Sequence, residues 1–87
     1  MYLHLGKNTV VRMDSILAIF DLDNSSQSHL TREYLRRADQ SGQTVNISED
    51  LPKSFVVCAA EDGTQTVYLS QLSSATLLKR SETMSFE

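Results

Sequence analysis

The sequence contains a single cysteine, no tryptophan, one proline and three glycines among 87 residues. One cysteine excludes an internal disulfide and a cysteine-rich zinc site. The longest apolar runs, Ile16 to Phe20 and Phe55 to Ala60, are much shorter than the roughly 20 residues that a membrane-spanning helix needs. Lys7 and Arg12 flank no long apolar stretch, so we expect no secretory signal. We therefore expect a cytoplasmic protein in a reducing compartment that does not interact with membranes.

What the chain does contain is typical of a small folded domain. With 40% hydrophobic and 22% charged residues, it has the apolar content that disordered chains lack. We predict one domain over residues 1–81 and a flexible tail over 82–87. A chain of this length buries only about 60–65% of its unfolded surface, so further copies would add useful buried area. The size of the chain thus favours a homo-oligomer.

The first third of the chain is typical of three short strands. Residues Met1 to Leu5 alternate apolar and polar side chains, which predicts a strand with one buried face. A turn at Gly6 to Asn8, with positive φ at glycine and asparagine, leads to a second strand at Val10 and Val11. The continuous apolar run from Ile16 to Phe20 predicts a strand that is covered on both faces.

The middle of the chain predicts one amphipathic helix. A polar loop over residues 21–28 precedes a helix from His29 to Gln40, in which Leu30, Tyr34 and Ala38 recur every four residues. Gly42 follows at the position where a left-handed residue usually ends a helix. The buried stripe of this helix is expected to pack on the sheet.

The second half predicts an edge strand and a hairpin. Val45 to Ile47 is a short edge strand, and Pro52 belongs to the connection that follows it. Asp62-Gly63 separates the apolar runs Ser54 to Ala60 and Thr66 to Leu69, and this dipeptide favours a type I′ hairpin turn with two positive φ angles.

The C-terminal region predicts a short helix. Ser73 is the expected N-cap, Leu77 and Leu78 are expected to point inward, and Lys79 and Arg80 to end the helix. Together the segments predict an α+β fold: a small, mostly antiparallel sheet of about six short strands, one main helix and a short C-terminal helix.

Signals of catalysis are nearly absent. His4 shares the outward face of its strand with Tyr2, where an interface or structural role is favoured over catalysis. Cys58 lies in an apolar strand and is expected to be an inert core residue. We predict no enzyme activity, no cofactor and no metal site. We predict instead that Tyr2, His4 and Tyr68 contribute to an oligomer interface, since tyrosine combines apolar area with a hydroxyl group.

Charge limits the choice of partner. The net charge is −3 and the pI about 5.2, so one copy does not attract nucleic acid by its overall field. Residues 1–44 hold five basic and five acidic side chains, whereas residues 45–87 hold three and six. Basic residues of this kind usually belong to a solvated surface. In an oligomer, however, a small cluster is repeated, and weak phosphate contacts then add. The candidate nucleic-acid-binding residues are Lys7, Arg12, Arg32, Arg36 and Lys53.

Four segments in order resemble the RemA/RemB family of extracellular matrix (biofilm) regulators. They are Met1-Tyr-Leu-His-Leu-Gly6, Ile16-Leu-Ala-Ile-Phe-Asp21, Lys53-Ser-Phe-Val-Val57 and the segment from Val67 to Arg80. The first and last look closer to the RemB branch. The resemblance implies a bacterial regulator without a helix-turn-helix motif that forms ring-like oligomers. It also implies DNA binding upstream of matrix and osmoprotection operons for RemA-type members.

The chain departs from the RemA pattern at two places where the resemblance implies DNA-contacting arginines. One position is Ser15, next to Asp14, and the other region is the acidic segment Glu49-Asp50. Carboxylates there repel phosphate, and each lost contact weakens affinity and its salt dependence. Two hypotheses follow. The first is a regulator that binds DNA through a repeated basic rim; the second is an oligomeric module that binds a protein, such as a RemA-type paralogue, through Glu49 and Asp50.

Overall fold

The computed structural model describes residues 2–22, 29–47 and 49–84. Over these residues it confirms an α+β fold with six strands and two α-helices. A short 3-10 helix, Met13–Ser15, links the second and third strands. The elements are β1 (Tyr2–Gly6), β2 (Thr9–Arg12), β3 (Ile16–Asp21), α1 (His29–Gln40), β4 (Thr44–Asn46), β5 (Ser54–Ala59), β6 (Gln65–Ser70) and α2 (Ser74–Met84).

The strands form a two-stranded hairpin, β1-β2, and a four-stranded sheet in the order β3-β5-β6-β4. Among the described residues, three of the four strand pairs are antiparallel and one, β4 with β6, is parallel, so the strands are mostly but not purely antiparallel. Helix α1 carries the chain from β3 at one edge of the sheet to β4 at the other edge; these two strands run in the same direction, and such a connection needs a crossover. The backbone N–H of Val67 donates to the carbonyl of Gln43, which aligns the starts of the two strands. Strand β4 lies at the edge of the sheet, which confirms the edge strand predicted at Val45 to Ile47.

The core lies on both faces of β5, the most buried strand. Phe55 and Val57 point to one face, where they pack with Ala38 of α1. Val56 and Cys58 point to the other face, where they pack against the β1-β2 hairpin and α2. The fold is therefore three layers deep, with α1 on one side of the sheet and the hairpin with α2 on the other.

Strand β3 is not the doubly covered strand that its sequence predicts. It lies at the edge of the sheet, and its Leu17 and Phe20 are 58% and 40% exposed. A register shift between Ile16 and Ala18 places Leu17 in a bulge. Apolar, β-branched composition does not distinguish an edge strand from a central one, because coverage depends on the order of strands in the sheet.

The two turns differ from their predicted conformations. In residues 60–64, between β5 and β6, only Gly63 has a positive φ, +89°. A type I′ turn needs two positive φ angles, so the prediction of that turn is wrong. The N–H of Ala60 donates to the carbonyl of Thr64, which leaves a loop of three residues between them. The N–H of Gly63 donates to the carbonyl of Ala60, and the Asp62 carboxylate accepts from the N–H of Thr64. In the turn of the first hairpin, Gly6 has the predicted positive φ. The second positive φ, +44°, is at Lys7, whereas the sequence predicts it at Asn8.

Both helices have the expected caps. Gly42 has a φ of +72°, and the next N–H, that of Gln43, donates to the carbonyl of Ala38 in a Schellman-type end. The Ser73 hydroxyl accepts from the N–H of Thr76 at the start of α2. In α1, Ala38 is buried and Tyr34 is 37% exposed; the side chain of Leu30 lies outside the described part.

The C-terminal helix is longer than predicted. It has 11 residues against 12 in α1 and runs past Arg80 to Met84. Leu77 is fully buried as expected, but Leu78 is 50% exposed and does not point inward. One packing stripe of a helix accommodates only one of two adjacent leucines, because successive side chains are about 100° apart. Residues 85–87, which belong to the predicted tail, lie outside the described ranges.

Candidate nucleic-acid interface

Lys7 and Lys53 lie at the same end of the molecule. The N–H of Lys53 donates to the carbonyl of Ser70 at 2.8 Å, and the Ser70 hydroxyl donates to the carbonyl of Leu5 at 2.7 Å. Lys7 follows Leu5 by two residues and lines a cavity together with Pro52, the residue before Lys53. This end, at which β1 and β6 finish and β5 begins, is called the lysine end below.

The lysine end also contains acidic groups. Glu49, Asp50 and Leu51 line the same cavity as Lys7, and all three are exposed. Leu51 is 88% exposed, the highest value among the large apolar side chains that the structure describes as exposed. The acidic segment noted in the sequence therefore lies directly beside one of the candidate basic residues.

Arg12 lies at the other end of the sheet. It lines a cavity with Ala59, the last residue of β5, and with Ala60 and Glu61, which follow that strand, whereas Lys53 directly precedes it. The intervening six residues of β5 span about 20 Å. The Arg12 guanidinium pairs with Asp14 at 2.7 Å, so its charge is largely compensated within the same chain.

The two candidate arginines on α1, Arg32 and Arg36, differ in whether they have an ion-pair partner. Arg36 pairs with Glu33 at 2.6 Å, and Arg37 contacts the same carboxylate oxygen at 3.3 Å. The hydrogen bond from Arg36 and, to a smaller extent, that from Arg37 lower the pKa of Glu33 below its ordinary value, against the effect of partial desolvation. Arg32 is exposed, and its side chain makes no ion pair with a carboxylate of the described residues.

The structure thus divides the five candidate basic residues into two groups. Arg12 and Arg36 are held by carboxylates of their own chain. The other three have exposed side chains without an ion pair in the described ranges, and Lys7 and Lys53 lie at the same end of the fold; the three are Lys7, Arg32 and Lys53. The five residues do not form one continuous cluster within a single copy.

The three candidate interface residues lie on two different surfaces. Tyr2 and His4 are exposed on the outer face of the hairpin, where they alternate with buried Leu3 and Leu5. Tyr68 is half-buried on the sheet face beneath the hairpin, beside a groove lined in part by Val10. An oligomer interface at these residues stays a prediction.

Two features of the lysine end are not apparent from the sequence pattern. Leu51 has one weak signal, an apolar residue isolated between an acid and a proline. Ser70 is fully buried and joins two segments through its hydroxyl and its carbonyl. Its contact with Leu5 spans 65 positions, and no local pattern indicates such a pairing.

Other chemistry is limited. Cys58 is a free, buried thiol whose pKa is raised by burial, in spite of a hydrogen bond with Ser15 that lowers it. Over residues 2–22, 29–47 and 49–84, no three histidine, cysteine or acidic side chains come together as a metal site. Neither helix in that part of the chain has the length and apolar character required to cross a bilayer.

The structure is a small three-layer α+β domain with exposed cations at one end. Comparison with known families identifies the class of protein to which this domain belongs. The chain belongs to the RemA-like family: the model for "Extracellular matrix regulatory protein A-like" matches residues 2–80. The chain is also similar to Extracellular matrix regulatory protein B of Bacillus subtilis (strain 168). The two are 38% identical over 84 residues, which cover 97% of this chain and 94% of the relative.

Proposed function

We propose that this protein is a non-enzymatic, cytoplasmic regulator of extracellular-matrix gene expression that acts as a homo-oligomer and binds DNA. Membership of a family of extracellular matrix regulatory proteins supports the regulatory role. The observation that carries the DNA-binding part is the location of Lys7 and Lys53 at the same end of the fold, where neither has an ion pair with a described carboxylate. Exposed cations of this kind are available to phosphate oxygens.

Oligomerisation is needed because one copy is acidic. A net charge of −3 opposes approach to a polyanion, and the two lysines of the lysine end supply only two phosphate contacts. Repetition of the lysine end around an assembly multiplies these contacts at fixed spacing. The basic rim that we propose therefore consists mainly of Lys7, Lys53 and Arg32, with Arg12 and Arg36 contributing less because their charges are compensated.

The backbone of Lys7 gives independent support. Its φ of +44° lies in the left-handed region, where glycine or asparagine is less strained than lysine. A residue in an unfavourable conformation is common where the side chain has a function. Lysine at this position is consistent with a role for its ammonium group.

DNA binding is tested by fluorescence anisotropy on a labelled duplex at several salt concentrations. We expect binding that weakens steeply with salt, and smaller salt slopes for Lys7→Gln and Lys53→Gln. Arg12→Gln is the matched control, because it removes a cation that already has a partner, and its effect should be smaller. Absence of binding by the wild-type protein at low salt would contradict the proposal.

The assembly is tested separately by light scattering at micromolar concentration, where a monomer would argue against the oligomer. Tyr2→Ser and Tyr68→Ser examine the two predicted interface surfaces, the hairpin face and the sheet face. We expect at least one of them to reduce the particle mass without unfolding the protein. Unchanged mass for both variants would exclude these tyrosines from the interface.

The acidic segment supports a second candidate function. Glu49 and Asp50 directly precede Leu51, and an exposed apolar residue next to acidic residues fits a protein partner that presents arginine or lysine around an apolar site. A RemA-type paralogue is the partner that we propose for this alternative. In this case the protein regulates through a complex and does not itself bind DNA.

Co-purification with such a paralogue tests this alternative. Glu49→Lys should weaken the complex by reversing the charge beside Leu51. Glu61→Lys is the control, since Glu61 is exposed in a loop at the other end of the sheet. Equal loss of the complex with both variants would indicate a general charge effect rather than a site at Glu49.

A further inference from the structure

Ser70 contacts both segments that carry the lysines of the lysine end. Its hydroxyl donates to the carbonyl of Leu5 at 2.7 Å, two residues before Lys7. Its carbonyl accepts from the N–H of Lys53 at 2.8 Å. The same hydroxyl accepts from the N–H of Leu72 at 3.1 Å, so its direction is fixed from two sides. Ser70 has no exposed surface, and water does not compete for these bonds.

The other contacts that hold the hairpin, to the sheet and to α2, are less directional. Leu3, Leu5 and Val11 hold the hairpin by apolar packing, which is favourable over a range of relative positions. The bond from Arg80 to the carbonyl of His4 is longer, 3.3 Å, and exposed. A short buried hydrogen bond has a strict geometry, so the Ser70 contact sets where along the sheet the hairpin lies.

From this arrangement we propose that Ser70 is a positioning residue that fixes the separation of Lys7 and Lys53 for contact with successive phosphates. This inference rests on the proposed DNA binding for its purpose. The arrangement of the two lysines can nevertheless be measured without DNA. Loss of the hydroxyl leaves the carbonyl of Leu5 without its donor in a buried site, and the hairpin should then shift to reach water or another donor.

The test uses an amine-reactive cross-linker on the full-length protein. The sequence contains three lysines, Lys7, Lys53 and Lys79, so the peptide that joins Lys7 to Lys53 is readily identified by mass spectrometry. Mixing isotopically labelled and unlabelled protein separates links within a chain from links between copies. Measurements are made well below the melting temperature of every variant.

We expect Ser70→Ala to lower the yield of the Lys7–Lys53 link by about threefold or more, as loss of one net-stabilising hydrogen bond shifts a conformational equilibrium. Ser54→Ala is the matched control. Ser54 is also fully buried, pairs with Ser70 across the strands and donates to the carbonyl of Leu72, but does not bond to β1. The control should keep the link near the wild-type yield.

An unchanged link in Ser70→Ala, or an equal loss in Ser54→Ala, would overturn the positioning role. If Ser70→Ala does not fold, Ser70→Cys preserves most of the volume with a weaker donor, and a wild-type yield in this variant would also overturn it. DNA binding provides the second readout: Ser70→Ala should reduce the salt slope, while Ser54→Ala should not. Absence of DNA binding by the wild-type protein would refute the proposed function and leave the cross-linking result valid.

Discussion

The rings of Phe20 and Phe55 stack with their centroids 4.8 Å apart and an interplanar angle of 20°. The pair joins edge strand β3 to the central strand β5, where the two residues are directly opposite in the antiparallel register. Phe55 is 1% exposed and Phe20 is 40% exposed, so the stack extends the core to the edge of the sheet. This aromatic contact stabilises β3, which is otherwise only partly covered by the rest of the fold.

Phe20→Ala should destabilise the protein by about 1.5–2.5 kcal/mol, less than a fully buried phenylalanine because part of the ring is already in water. The matched control is Leu17→Ala, which removes a more exposed apolar side chain from the bulge of the same strand and should cost less than about 1 kcal/mol. Urea unfolding followed by circular dichroism measures both. Similar losses for the two variants would mean that the stacked pair adds nothing to ordinary burial.

The adjacent leucines of α2 offer a second stability test. Leu77 is fully buried against β1 and β5 residues, whereas Leu78 is 50% exposed. Leu77→Ala should therefore cost about 3 kcal/mol, while Leu78→Ala should cost less than about 1 kcal/mol. Thermal unfolding of the two variants measures the difference. A reversed order would show that α2 packs with a different rotation about its axis, with Leu78 rather than Leu77 in the core.

The comparison of these two leucines shows how far the sequence predicts the fold. Local signals identified the strands, the N-cap Ser73 and the left-handed Gly42, because each depends on a few neighbouring residues. The rotation of α2 and the edge position of β3 depend on packing between elements that are distant in the chain. Apolar composition alone could not distinguish Leu77 from Leu78, or β3 from β5.

The candidate site shows the same limit. The sequence indicated which side chains are basic, but the partners of Arg36 and Arg12 depend on rotamers and turn geometry. The location of Lys7 and Lys53 at the same end of the fold depends on a contact through Ser70 between segments far apart in the chain. Charge pattern thus predicts the members of a basic surface, while local ion pairs decide which of them are engaged and tertiary contacts decide which of them lie at the same end of the fold.

The hydrogen bonds from Arg36 and Arg37 predict how the pKa of Glu33 changes when either arginine is replaced. The lowered pKa means that this carboxylate stabilises the fold above the ordinary glutamate pKa, and that the stabilisation is lost as the pH falls through the lowered value. Arg36→Gln should raise the pKa of Glu33 more than Arg37→Gln does, because the Arg36 hydrogen bond is the largest cause and the shorter contact. NMR titration of the Glu33 carboxyl carbon measures both shifts. A pKa that is unaffected by Arg36→Gln would contradict the ion pair.

The left-handed backbone of Lys7 predicts a conflict between stability and binding. Lys7→Asn should raise the free energy of unfolding by about 0.5–1 kcal/mol, because asparagine adopts a φ of +44° with less strain than lysine. The same variant should weaken DNA binding, because it removes one of the two ammonium groups of the lysine end. Lys53→Asn is the matched control: Lys53 has no positive φ, so this variant should weaken DNA binding without stabilising the protein. Thermal unfolding and anisotropy titrations on the three proteins separate the two effects. A Lys7→Asn variant that is no more stable than the wild type would show that the turn is not strained, and would remove the backbone argument for a function of this lysine.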